Sequence, residues 1–193
     1  NMTVIETADA TDVESVLELS NAVDGPVYIR MVRGQIPRLF PAKNQTILGK
    51  ARILSLGSDI TLLTSGICTE ESLRVTDILK DRGIGVQHLH VTTLKPFDDH
   101  RVSEALAKAR YGIITMENHT SIGGLGSCVA DMIAKFGIAT KLIKVAINDT
   151  YLQGASRTFL MERYGIDVKS LLCAVESLVG EKIYISDADL STS

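Results

Sequence analysis

Cysteine in paired spacing is the first thing this 193-residue chain lacks. Cys68, Cys128 and Cys173 stand far apart, form no CxxC pair and are odd in number; with no signal peptide in view, that pattern points to a reducing cytoplasm and to thiols that pack as small hydrophobes. Long apolar runs are missing as well. None approaches the roughly 18 residues that would span a bilayer, so no membrane partner is expected. Positive charge is not in excess either: the formal net charge is −3, which gives no electrostatic reason to expect nucleic acid. The four histidines show no zinc-ligand spacing. His88 and His90, two apart in a predicted strand, share one face but have no third ligand nearby, so they read as hydrogen-bonded or solvent-facing side chains. There is no G-x-S-x-G elbow, no cysteine with a nearby histidine, no internal repeat and no low-complexity tract. What remains is a chain of 45% hydrophobic residues and mixed charge, able to bury a core in one good-sized domain or in one domain plus a fragment.

The segment Ile113–Gly126 carries the most information. An apolar run rich in β-branched residues reaches Glu117, crosses a polar turn and enters Gly123-Gly124-Leu125-Gly126, after which a helical pattern runs from about Ser127 to Phe136. This is the strand–turn–helix joint of an open α/β sheet, and ligands and interfaces collect on that side of such sheets. It is not a dinucleotide fingerprint. Counted from Gly124, the third glycine position is Val129, and Lys141–Val145 supplies no carboxylate for a ribose. No Lys-Ser/Thr follows the glycines, so a P-loop is excluded too. The glycines are therefore read as serving close packing.

Before this joint, Thr11-Asp-Val-Glu14 reads as a capping box for a helix carrying Val13, Val16, Leu17 and Leu19. Gly25-Pro26 ends that helix, and Val27–Val32 reads as a strand. One helix and one strand cannot enclose a core, so residues 1–40 look like the end of another α/β domain, joined by a linker over 41–46. From residue 47 the alternation is complete. Strands are expected at Ala51–Leu56, Ile60–Thr64, Ile84–Val91, Tyr111–Met116 and Lys141–Ile147. Helices are expected after Thr69 to about Arg82, after Asp98 to about Ala109, at Ser156–Tyr164 and at Asp167–Val179, with Leu94-Lys-Pro-Phe97 as a turn. The fold class is α/β: a mainly parallel sheet with helices on both faces over 47–193, preceded by a fragment of a second α/β domain.

Few residues offer chemistry. Glu117 and His119 lie together at a strand end and could act as an acid/base pair. Without a nucleophile or cofactor they define no reaction, and the preferred reading is that Glu117 accepts backbone N–H groups of the glycine turn while His119 is exposed. Arg30 and Arg33, three apart near a strand terminus, face opposite ways, so only one lines a given cleft. Arg33 comes just before Gly34, where a guanidinium suits a phosphate or carboxylate; a structural ion pair fits the composition equally well.

Six pieces of the chain together resemble a known family. They are Ala8-Asp-Ala-Thr11; Gly25-Pro-Val-Tyr-Ile-Arg30; Gly57-Ser-Asp-Ile60 followed by Gly66; Leu94-Lys-Pro-Phe-Asp98; Glu117-Asn-His119 with Ile122-Gly-Gly-Leu-Gly-Ser127; and Asn148-Asp-Thr150 with Tyr164-Gly-Ile-Asp167. In this order the chain resembles the end of a transketolase-type thiamine diphosphate enzyme, especially the carboxy-terminal subunit of split transketolases. The resemblance implies that 1–40 finish the pyrimidine-binding domain and 47–193 form the transketolase C-terminal domain, whose usual part is assembly. It implies a complete enzyme that uses thiamine diphosphate and magnesium, neither bound by this chain alone, to move a two-carbon ketol unit between sugar phosphates. It further implies a homodimer, an N-terminal transketolase domain or subunit as partner, or both, and a cytoplasmic location. Arg33 matches the arginine that similar enzymes place against the sugar-phosphate end of the substrate, and it is the single site residue carried over. Deoxyxylulose-phosphate synthase and the β-subunits of 2-oxo acid dehydrogenases share much of this architecture. A stand-alone interaction or regulatory module is the rival from another class.

Overall fold

The computed structural model describes residues 1–185. Its main sheet has five strands: β3 (Arg52–Ser55), β4 (Ile60–Thr64), β5 (Val86–His90), β7 (Gly112–Thr120) and β8 (Leu142–Ile147), in the order β3-β5-β4-β7-β8. Pairings β4–β5, β4–β7 and β7–β8 are parallel, and β3 closes one edge antiparallel to β5. The α/β class with a mainly parallel sheet is thus the observed one.

The central strands β4 and β7 are buried on both faces because their side chains alternate between two apolar layers. Ile60 and Leu62 of β4, with Ile114 and Met116 of β7, pack under helices α2 (Cys68–Asp81) and α6 (Val168–Val179), joined by Met161 of the short helix α5 (Arg157–Arg163). Leu63 and Ile113, one position out of phase, pack under α3 (His100–Lys108) and α4 (Leu125–Phe136) with Val102, Leu106, Leu125 and Val129. Among the described residues no helix is long and apolar enough to cross a membrane.

The first forty residues build more than one helix and one strand. Thr3–Glu6 forms β1, which pairs in parallel with β2 (Val27–Arg30), and α1 (Ala10–Ser20) connects the two. A third strand, β6 (Thr93–Lys95), joins β1 antiparallel on its other side. The expected turn at Leu94-Lys-Pro-Phe97 therefore begins inside a strand, and that strand ties the second half of the chain to the first. β1 escaped the sequence reading because Thr3–Glu6 is only four residues long and its pairing partners are distant in sequence.

Several helix starts also differ from expectation. Asp9, not a Thr11–Glu14 box, caps α1: its Oδ1 accepts the Asp12 N–H at 2.9 Å. Thr11 instead donates to the Phe40 carbonyl at 2.7 Å, and Glu14 pairs with Arg38. Asp99 caps α3 one residue later than Asp98 would. Helix α2 begins at Cys68 without a side-chain cap, because the Thr69 hydroxyl turns inward to Thr64 and His90. The thiols do not share one fate: Cys68 is buried, Cys128 half-buried and Cys173 exposed, so the last does not pack as a core residue.

Candidate functional site

At the carboxyl ends of β4 and β7 the chain gathers its most unusual groups. Strand β7 runs on to Thr120, past the expected end at Met116, and this carries Glu117 fully into the interior. Its two oxygens accept the N–H groups of Leu125 and Gly126, each at 2.7 Å, so a carboxylate from the strand caps the helix that follows. Burial pushes the Glu117 carboxyl above its usual range, with the Glu6 carboxylate adding to the effect, although the two amides and His119 pull the other way. Gly124 makes this cap possible: a Cβ there would run into the Glu117 carboxylate and come within 2.9 Å of His119 Nδ1. Gly126 is equally tight, with Thr115 Oγ1 2.9 Å from the place a Cβ would occupy, whereas Gly123 has open space but a φ of +79°. The glycines serve packing and a turn, as expected.

Glu117 and His119 do not form an acid/base pair. Glu117 spends both oxygens on the helix start, and His119 is exposed, with its Nδ1 3.1 Å from the Thr120 carbonyl. His119 lines a cleft of about 460 Å³ together with Glu6, Arg30, Lys95, Gly124 and Cys128. Neither thiol nearby is set up as a nucleophile: burial raises Cys68 well above its usual value, reinforced by Glu6 and Glu117, and burial raises Cys128 as well.

Arg30 is a structural residue. It stands beside Glu6 in the β1–β2 register, pairs with that buried carboxylate, and donates to the Asn118 carbonyl at 2.9 Å. It thereby links both strands of the first segment to the end of β7. Strand β2 ends at Arg30 rather than Val32, so Arg33 lies beyond the alternation that was used to assign its face. Arg33 is exposed, and among the described residues it makes no hydrogen bond or ion pair. The structure does not bring Arg33 together with Glu117 or His119 in the cleft lining.

A second cluster, between the two sheets, went unseen in the sequence. Asp9 and Asp12 are fully buried. Asp9 accepts the N–H groups of Leu39 and Phe40 at 2.7 and 2.8 Å. Asp12 receives Ala8 N–H, the Thr46 hydroxyl, Arg52 and the His90 ring. Burial alone would raise the Asp12 carboxyl, but the hydrogen bonds and charge around it hold it well below the ordinary carboxylate range. The Arg52 guanidinium also lies over the Phe40 ring, 4.2 Å from its centre. His88 and His90 are both buried and hydrogen-bonded on both ring nitrogens, which settles them as satisfied rather than solvent-facing. In the sequence His88 and His90 share one face of a strand and Asp9 and Asp12 stand three apart at a helix start, but nothing in their spacing joins the two pairs.

Residues 49–171 match the family model for the transketolase C-terminal domain. The chain belongs to that family. A putative transketolase C-terminal section from Methanocaldococcus jannaschii is 34% identical over 173 residues, covering 89% of this chain and 54% of its own length. A 6-deoxy-6-sulfo-D-fructose transketolase subunit from a Clostridium species is 33% identical, covering 94% of this chain and 56% of its own length. A 1-deoxy-D-xylulose-5-phosphate synthase from Syntrophotalea carbinolica is 28% identical over 93% of this chain but only 28% of its own length. Among solved structures, a split-gene transketolase described as an inactive β4 tetramer superposes with a TM-score of 0.86 at 30% identity, over 94% of this chain and 59% of that one. The chain thus spans about half the length of its transketolase relatives.

Proposed function

We propose that this transketolase C-terminal domain, with the fragment in front of it, is the assembly half of an enzyme that transfers a two-carbon ketol unit between sugar phosphates. The observation that carries the reading is the way the two parts are built into each other. Strand β6 completes the small sheet of β1 and β2, and Arg30 fastens that sheet to Asn118. A β-strand edge at β2 and exposed apolar side chains, Tyr28 at 51% and Met31 at 52%, offer the surface that an N-terminal domain or subunit would cover. The split-gene relative, whose described form is a β4 tetramer, favours self-association of such chains as well.

Thiamine diphosphate and magnesium, which the family implies, are assigned in this reading to residues outside the described part of the chain. The N–H groups at the start of α4 that could face a diphosphate are taken by Glu117, and no described group of His, Cys, Asp and Glu side chains is arranged to hold a metal ion. The cofactor in this reading belongs to the remainder of the complete protein, and the contribution of this chain to substrate is Arg33, exposed three residues beyond the end of β2.

Reconstitution tests the proposal. The chain is titrated with thiamine diphosphate and magnesium in a calorimeter, alone and then with an N-terminal transketolase partner, while its mass is followed by sedimentation. Cofactor binding and ketol transfer only in the mixture, with a stable complex, are the expected results. Micromolar cofactor binding by the chain alone would remove the assignment. An effector that binds the isolated domain while the mixture never assembles would favour the interaction-module reading.

A further inference from the structure

Val4 stands in the middle of the small sheet, beside Tyr28 of β2 on one side and Lys95 of β6 on the other. Paired residues share a face, so Tyr28, Val4 and Lys95 form a row across the three strands. Glu6, two positions along β1, stands on the same face with its partner Arg30. The opposite face is closed: Ile5 is fully buried, as expected where the crossover helix of a parallel pair packs. The row itself is open, with Val4 half-buried and Tyr28 and Lys95 exposed. It borders the cleft of about 460 Å³ that His119 and Gly124 line from the β7–α4 joint. Parallel strands are seldom left bare on one face.

The lining says what kind of group would cover the row. Its one carboxylate, Glu6, is spent on Arg30. Among the described residues Lys95 makes no hydrogen bond or ion pair, and His119 uses only Nδ1, leaving Nε2 without a partner. The cleft therefore combines an apolar strip of Val4, Tyr28 and Leu94 with a lysine ammonium that has no counter-charge. A small anion would answer Lys95 but leave the apolar strip in water. A second copy docked about a twofold axis through this cleft would bring two Lys95 side chains together, with no unspent carboxylate between them.

On the assembly reading proposed above, we infer that the cleft seats an acidic amphipathic segment of the cofactor-bearing half. Apolar side chains of that segment lie on Val4, Tyr28 and Leu94, and a carboxylate meets Lys95. Tyr28 belongs both to the free edge of β2 and to the row, so a partner that covers the edge reaches the cleft across one continuous surface. Val4 comes from the first segment and Lys95 from the C-terminal domain, so the occupant grips both parts at once and requires them to be joined in the β1–β6 register.

Thiol labelling on the chain mixed with its N-terminal transketolase partner tests this, with sedimentation reporting the complex. Val4→Cys puts a thiol in the middle strand, which a partner confined to the β2 edge would leave reactive, and the exposed Cys173 of α6 is the internal control. In the complex, N-ethylmaleimide labelling at position 4 should slow at least about tenfold while Cys173 labels as before. Lys95→Glu should weaken the complex at least about tenfold without lowering the melting temperature of the free chain, and Lys95→Arg should bind like the unaltered chain. Added salt should shrink the difference between the Glu and Arg variants. If Val4→Cys does not fold, the two Lys95 variants decide. Assembly with the position-4 thiol still reactive, or with Lys95→Glu bound as tightly as the unaltered chain, overturns this inference and leaves the assembly reading standing. Protection that appears in the chain alone and rises with its concentration puts a second copy in the cleft and overturns it too. A mixture that never assembles removes the assembly reading, and this inference with it.

Discussion

Gly124→Ala is the smallest change that should damage this fold severely, and its cost can be worked from the joint. The backbone at Gly124 is extended, with φ −96°, so the dihedral itself accepts alanine. The obstacle is steric: the new methyl would overlap the Glu117 carboxylate, whose carbon lies 2.8 Å from the Cβ position. Glu117 is fully buried and cannot swing into solvent, so relief means rotating the carboxylate away from Leu125 and Gly126. Hydrogen bonds to a charged group are each worth about 1.5–3 kcal/mol. Because one of the two can be kept in part, the expected loss is about 2–4 kcal/mol, within the usual range for overpacking plus a broken cap. For a domain of this size about 2–4 °C is lost per kcal/mol, which puts the melting temperature down by roughly 5–15 °C. Calorimetric melting measures it, and hydrogen exchange at the Leu125 and Gly126 amides should speed up in the same variant. Gly123→Ala is the control. That residue has a φ of +79° and no atom within 4 Å of a new Cβ, so its cost is the left-handed backbone alone, about 1–2 kcal/mol. Equal losses for the two variants, or unchanged amide exchange in Gly124→Ala, would refute the claim that the strand carboxylate caps this helix.

Arg30→Gln should cost about 1–3 kcal/mol in a denaturant titration, less than a fully buried pair because a third of the arginine side chain is exposed, and Glu6→Gln in the same chain should recover part of the loss. Asp99 is held down to about 2; burial opposes this, but Arg101 and the Ala51 amide outweigh it, so its folded value lies below the ordinary 3.8. The unfolded chain therefore takes up its proton first, and stability present above about pH 4 should be lost as the pH falls toward 2; Asp99→Asn should be less stable at neutral pH but show a shallower acid slope. In the complete enzyme, as proposed, Arg33→Ala should lower kcat/KM for phosphorylated acceptors about ten- to a hundredfold and leave glycolaldehyde much less affected, with Arg33→Lys recovering part; equal losses for both acceptors would remove Arg33 from the substrate phosphate.

The main sheet was legible because its signals are local and repeated. Ile60–Thr64 and Ile113–Met116 are short apolar runs between turn residues, and the helices between them carry their own apolar stripes. The strand–turn–helix joint was legible for a further reason: Glu117 and the glycines stand within ten residues of one another, so their contact could be foreseen without knowing the fold. The first segment failed that condition. β1 is recognisable only beside β2 and β6, and its partner Lys95 is some ninety residues away. The caps failed for a related reason. Thr11 and Thr69 have the right chemistry at the right place, yet each hydroxyl is drawn off by a tertiary partner, Phe40 in one case and Thr64 with His90 in the other. Asp9 could then take the vacant cap of α1, while α2 went without a side-chain cap.

The same competition explains why the polar joint was invisible. Asp12 looks like an ordinary first-turn carboxylate, suited to a helix dipole and to solvent. Its burial follows only from Thr46, Arg52 and His90 arriving from three other parts of the chain, each too far along the sequence to be paired with it by spacing. A carboxylate that buried survives only if all its partners arrive together, so the joint either forms as a whole or leaves a costly unpaired charge. That all-or-none character suits a place where two parts of a chain must meet in one orientation, with β6 fixing the strand register on one side and the Asp12–His90 contact fixing the helix on the other.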